Sequence, residues 1–268
     1  MKEPYIIIEP TSDPVPMIVS VPHCGIEFPE RFKADYKADM VEAPDDTDWF
    51  VHKLYNFASD FGITIIHARY SRWVIDLNRD PDSKPLYNDG RIITALTPTT
   101  DFFGTSIYKS PDNEPNEADT EFKLQNYYWP YYKKVQALLD ERKEQFGKAL
   151  LWDAHSIRQS VPTIREEAFP DMILGNNDRK SSNSELIDTA LNGLRKGPYQ
   201  INHNEPFKGG HITRYFGKPE ANIHALQLEM NKILYMNYAE EEFNEDRANQ
   251  VRSVLKPTFK ALINQLTK

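Results

Sequence analysis

Ala149-Leu150-Leu151-Trp152-Asp153-Ala154-His155-Ser156 is the stretch that decides the fold class. Its first four residues are apolar without a break, as in a strand covered on both faces, and such strands lie in sheets sandwiched between helices. Directly after them come an aspartate and a histidine. Burying both is costly unless they are used, so the end of this strand is the first candidate for a functional site.

On either side, short β-branched runs alternate with long amphipathic ones, the pattern of an α/β protein. Strands are expected at Tyr5–Glu9, Met17–Val21, Gly62–Ala68, Trp73–Leu77, Ala149–Asp153, Met172–Gly175 and Ile223–Leu228. Helices are expected to begin near Asp46 or Thr47 and to end before Gly62, and to begin near Glu117, Ser182 and Asn244. Within Leu124–Phe146, the residues Tyr127, Tyr131, Val135, Leu138 and Leu139 form one buried stripe, and Pro130 should kink or restart that helix. Residues 80–116, rich in Asp, Pro, Gly and Thr, read as a long irregular excursion of the kind that covers active sites.

The 268 residues suit one α/β domain spanning 1–268, and no linker or repeat divides them. With 40% hydrophobic and 27% charged residues, the balance is that of a soluble globular protein. No apolar run approaches the roughly 18 residues that cross a bilayer. A single cysteine fits a reducing, cytoplasmic compartment. The net charge of −8 argues against general nucleic-acid binding, which needs a basic face. The sequence leaves the oligomeric state open.

Chemically capable residues gather at expected strand ends. His23 follows Met17–Val21, and its bland alternative is a turn histidine. Asp45-Asp46-Thr47-Asp48 opens an expected helix, where capping alone would favour acids. With His155, one of these aspartates and His23 would supply the three protein ligands usual for catalytic zinc, and Asp153 could orient a ligating imidazole. Glu229 ends the run Ile223–Leu228 and suits a general base beside a metal-activated water; its alternative is a salt bridge. Arg72, Arg79 and Arg214 point to an anionic substrate, because a guanidinium grips carboxylates with paired hydrogen bonds. Seven residues separate Arg72 from Arg79, so both serve one site only if the strand ends at Leu77 and the chain turns back. Gly209-Gly210 would let backbone approach a ligand closely, or would simply make a turn.

VSVPHCG, PDDTDWF, YSRWVIDLNRDPDSKPLY, LLWDAHSIR, FKGGHITRYFG and HALQLEMN, in this order, resemble the motifs of N-formylglutamate amidohydrolases, also called N-formylglutamate deformylases. The resemblance runs from about residue 16 to the C-terminal helix. It implies a three-layer α/β sandwich with a mixed central sheet, similar to zinc carboxypeptidases and aspartoacylase. It also implies one Zn2+ ion and hydrolysis of N-formyl-L-glutamate to formate and L-glutamate, the last step of one histidine-degradation route.

By the same resemblance His23 and His155 look like the histidine ligands. The acidic ligand comes from the DTD block, with Asp48 favoured and Asp46 in reserve. The HxxE pattern of carboxypeptidases is broken, since Ile26 stands three after His23; Glu27 is a poorly spaced substitute. Asn78, Arg79 and Arg214 would bind the substrate carboxylates, Arg72 would hold the oxyanion and Glu229 would be the base.

Three other readings fit the same residues. One is a related hydrolase of another N-acyl acidic amino acid, and another a non-catalytic zinc or amino-acid binding protein. The third is a cysteine hydrolase using Cys24, which an extended segment would point away from His23.

Overall fold

In the computed structural model, which describes residues 2–82 and 95–268, the ALLW run is the middle of the sheet. Seven strands form it: β1 (Tyr5–Ile8), β2 (Met17–Val21), β3 (Thr64–Ala68), β4 (Ala149–Ile157), β5 (Met172–Gly175), β6 (Ile201–His203) and β7 (Ile223–Asn231). Their order is β1-β3-β2-β4-β7-β5-β6. β3, β2, β4 and β7 run parallel to one another, and β5 is parallel to β6. β1 against β3 and β5 against β7 are antiparallel, so the sheet is mixed.

Every residue of β4 and β7 is buried, because helices cover both faces. Side chains alternate between two cores. Leu150, Trp152 and Ala154 join Leu226, Leu228 and Met230 on one face, packed by α3 (Val51–Leu54), α6 (Ser184–Leu194) and α8 (Glu245–Leu266). Ala149 and Leu151 join Ile223 and Ala225 on the other, under α1 (Glu30–Lys33), α2 (Ala38–Glu42), α5 (Trp129–Phe146) and α7 (His211–Phe216). The result is a three-layer α/β sandwich.

The helical stripe is buried as read, with Tyr127, Tyr131, Val135, Leu138 and Leu139 all in the second core. Pro130 restarts the helix: α4 (Glu117–Lys123) gives way to a wide π turn over Leu124–Tyr128, and Pro130 sits in the first turn of α5.

Two expected elements are replaced. No helix starts at Asp46 or Thr47; the chain turns there, and the first helical residue is Val51. The reason is that Asp46 spends its carboxylate on tertiary partners, the indole N–H of Trp73 at 2.9 Å and the Phe102 N–H at 3.1 Å. Nor is Trp73–Leu77 a strand. The Asp76 carboxylate accepts the Asn78 N–H at 2.9 Å and closes a turn. The short edge strand β6 carries no run that sequence periodicity could detect. Of the irregular excursion at 80–116, residues 83–94 lie outside the described residues. Its described part from Ala95 to Gly104 has no helix or strand and runs along a cavity.

Candidate active site

The face of the sheet under α7 changes character along the strands. After Ala149 and Leu151, the next same-face residues of β4 are Asp153 and His155. After Ile223 and Ala225 on β7 come Gln227 and Glu229. Registry sets Asp153 beside Gln227 and His155 beside Glu229, so four polar side chains tile one patch at the strands' C-terminal ends. Both strands being parallel, this is where an open α/β sheet offers its ligand crevice.

His23, in the turn after β2, and Asp48 complete the patch. They are tied together by the Asp48 N–H donating to the His23 carbonyl at 2.9 Å. His23, Asp48 and His155 each offer a ligand atom, all within 4.8 Å of one another, and all three side chains are buried. Both imidazoles turn Nδ1 toward Asp48 Oδ2, at 3.8 Å from His23 and 3.2 Å from His155. Their Nε2 atoms face other carboxylates: Asp76 for His23 at 2.8 Å, and Asp153 for His155 at 3.2 Å. A histidine whose far nitrogen is held by a carboxylate presents its near lone pair to a metal in a fixed direction.

Asp76 is a hub. Besides His23 it holds the Arg72 guanidinium at 2.6 Å, and Arg79 approaches it at 3.7 Å. Because the chain turns here, Arg72 and Arg79 both reach one cavity, where a continuous strand would have separated them. That cavity holds about 370 Å³ and is lined by His23, Asp48, Arg72, Asn78, Arg79, His155, Gln227 and Glu229 among others. Phe102, Ile157, Ile164 and Phe207 form an apolar wall, with the Phe102 ring 4.8 Å from the Arg72 guanidinium.

The turn before α7 closes the patch from above. Gly209 has φ +110°, which a residue with a side chain rarely adopts. Thr213 donates to Asp153 at 3.1 Å, and the Ile212 N–H donates to Asn78 Oδ1 at 2.9 Å.

The charges show what the patch wants. Burial by itself would lower the pKa of His155, but Asp153 and Asp48 outweigh it and raise it well above the ordinary imidazole value. Burial pushes Glu229 up to about 8, against the opposing pull of His155. Burial opposes ionisation of Asp76 too, yet Arg72, Arg79 and His23 hold its carboxyl well below the usual range. For Asp48, the hydrogen bond from His155 and the charges of both histidines overcome the same burial and lower it. Burial thus favours the protonated form of Glu229, and the neighbouring carboxylates favour that of His155. Four carboxylates, Asp48, Asp76, Asp153 and Glu229, face two guanidiniums, and a divalent cation would balance the difference and replace both protons. The donor set of two imidazoles and a carboxylate suits zinc.

The remaining acidic candidates lie elsewhere. Asp46 is turned to Trp73 and Phe102, while Glu27 is held outside the cavity by Arg69 at 3.1 Å and Lys2 at 3.0 Å. Arg214 does not line the cavity; its Nε donates to the Gly209 carbonyl at 2.9 Å. Cys24 packs in the core on the opposite face, where burial and then Asp48 push its thiol up, so it is no nucleophile for this cavity.

The model of the N-formylglutamate amidohydrolase family matches residues 15–236. The chain belongs to that family. It is 38% identical to an N-formylglutamate deformylase of Pseudomonas putida over 252 residues, 93% of this chain and 92% of that protein. A deformylase of the same description from Pseudomonas aeruginosa is 36% identical and covers 93% of each chain. Among solved structures, an N-formylglutamate amidohydrolase from Ralstonia eutropha JMP134 superposes with a TM-score of 0.82 at 24% identity, over 97% of this chain and 98% of that one. That likeness shows a shared fold.

As an N-formylglutamate amidohydrolase family member, the chain carries its active-site candidates on five separate segments. Sequence reading found His23, Asp48, Arg72, Asn78, Arg79, His155 and Glu229, and the structure brings these seven into one cavity. It missed Asp76 as the hub and Gln227 altogether. For Gln227 a signal existed: it lies two residues before Glu229, on the same face of the same strand.

Proposed function

We propose that this family member is a zinc-dependent hydrolase of N-formyl-L-glutamate, releasing formate and L-glutamate. As the resemblance implies, this is the last step of one histidine-degradation route, and a cytoplasmic setting suits a chain with one buried cysteine. The observation that carries the reading is the convergence of His23, Asp48 and His155 beside Glu229, in a cavity that also presents Arg72 and Arg79. The substrate is accordingly a small molecule with carboxylates.

His23, Asp48 and His155 would hold the ion, with Asp76 and Asp153 fixing the two imidazoles. When bound, zinc supplies Lewis acidity, polarising the scissile carbonyl and making water more acidic. Glu229 takes the proton of the attacking water and later delivers it to the leaving amine. Burial, which raises its pKa, makes it a stronger base than a surface glutamate. Arg72 is fixed by Asp76 and donates to the oxyanion that develops on the formyl oxygen. Arg79 and Asn78 grip substrate carboxylate and so place the amide against Glu229. Arg214 fixes the Gly209 carbonyl and shapes the turn over the site.

Formate release tests the reading, with N-formylglutamate, N-formylaspartate and N-acetylglutamate assayed side by side. N-formylglutamate should be the best substrate, chelation should abolish turnover, and one equivalent of zinc should restore it. Full activity after complete metal removal would refute the metal centre; a preference for N-acetylglutamate would refute the formyl assignment.

A further inference from the structure

We infer that Gln227 is a positioning residue for Glu229. It holds one carboxylate oxygen so that the other faces the water, and the Gly210 N–H fixes the orientation that lets it do so. This rests on the reading of Glu229 as the base.

A carboxamide has an acceptor end and a donor end, and its partners decide which way it points. Gln227 is buried and lines the cavity. Its Oε1 accepts the Gly210 N–H at 2.6 Å, which leaves its NH2 group toward Glu229, with Nε2 3.4 Å from Oε2. Glutamine and glutamate stand two residues apart on β7, so their side chains are neighbours on one face. A gap of 3.4 Å is long, as catalytic hydrogen bonds often are before substrate binds. Asp153, the registry neighbour of Gln227, already has Thr213, Ser20 and His155 around it and does not need the amide.

The glycine is what lets the turn come this close. A Cβ on Gly210 would fall 2.1 Å from the Asn78 amide nitrogen. The turn is therefore wedged between two carboxamides and orients both, Gln227 through the Gly210 N–H and Asn78 through the Ile212 N–H. Carboxylates have two oxygens, and a base is sharpest when a donor occupies one and leaves the other to the reacting proton.

The experiment measures kcat, KM, metal content and melting temperature for Gln227→Met and Gln227→Glu, each in the parent and in a Glu229→Asp background. Gln227→Glu keeps an acceptor for Gly210 and replaces the amide donor with a second carboxyl beside Glu229. Glu229→Asp draws the carboxylate back from the amide. In the parent, each Gln227 variant should lower kcat by about 30-fold or more, with KM within about threefold and one metal per chain retained. In the Glu229→Asp background the further loss should be less than about threefold, because the pair is already uncoupled. Full activity of Gln227→Glu would overturn the inference, since it would leave Gln227 only the task of holding the turn. An equal loss in both backgrounds would overturn it as well. Should Gln227→Met fail to fold, Gln227→Glu carries the same comparison. Failure of the base reading shows separately, as an active Glu229→Gln.

Discussion

The two faces of the β4–β7 pair begin alike and end differently. On the face under α6 and α8 the residues stay apolar to the end, through Leu150, Trp152 and Ala154 and through Leu226, Leu228 and Met230. On the face under α7 they switch after one turn of the pleat to Asp153, His155, Gln227 and Glu229. Both faces are equally buried, so burial does not mark the site. What marks it is a cluster of buried charges that are set against one another instead of against solvent. Such a cluster is expensive to fold around, and buried groups with shifted pKa values gathered in one cavity mark a place for chemistry.

Adjacent residues of β4 make the sharpest probe of that contrast. Trp152 is fully buried, donates to the Tyr55 hydroxyl at 3.1 Å and meets Phe259 edge-on at 5.1 Å. Trp152→Ala should cost about 3–5 kcal/mol in denaturant unfolding while the folded fraction keeps its metal affinity. Its neighbour Asp153 points the other way. Asp153→Asn should lower metal affinity about 10- to 100-fold in a competition titration, equivalent to about 1.4–2.7 kcal/mol, with a smaller change in unfolding free energy. If the two variants traded phenotypes, the division between faces would be broken.

A smaller effect is expected at a buried charge that serves no site. Lys123 is buried away from the cavity, its ammonium 4.8 Å from the Phe32 ring. Burial lowers its pKa to about 8, against the pull of Asp119 and Asp35. Between that value and the ordinary 10.5, the unfolded chain holds a proton that the folded chain has released, so this residue adds stability as pH rises through that window. Lys123→Met should accordingly be more stable than the parent by about 2 kcal/mol below pH 8, after allowance for the lost ring contact. That advantage should fade toward pH 10.5. A pH-independent difference would show that the charge is not what the substitution relieves.

The parts of the fold with strong local periodicity were legible. The apolar run of β4 announced a central strand, and the tyrosine stripe with Pro130 announced a helix that restarts. The segments that fail local rules are those the site has taken over. Asp46 looks like a helix cap because an acid before an amphipathic stretch commonly is one. Its carboxylate instead ties Trp73 and the Phe102 backbone beside the cavity. Trp73–Leu77 looks like a strand, but Asp76 bends the chain to gather His23, Arg72 and Arg79. The partners of Asp46 are distant in sequence, and although Arg72 and Arg79 flank Asp76, the His23 it must reach is 53 residues away, so spacing alone could not reveal either set. Site residues near the ends of regular strands, His155 and Glu229, were readable from position, and strand alternation already aligned Gln227 with Glu229; the hub at Asp76 needed the three-dimensional fold.

The central claim is that Glu229 acts as a base beside a metal held by His23, Asp48 and His155. Its most direct test is Glu229→Gln, with metal content and formate release measured on the same preparation. The variant should hold one divalent ion per chain, as the parent does, with turnover of N-formylglutamate reduced by at least about 10³-fold. Near-parental turnover, or loss of the metal together with the activity, would contradict it.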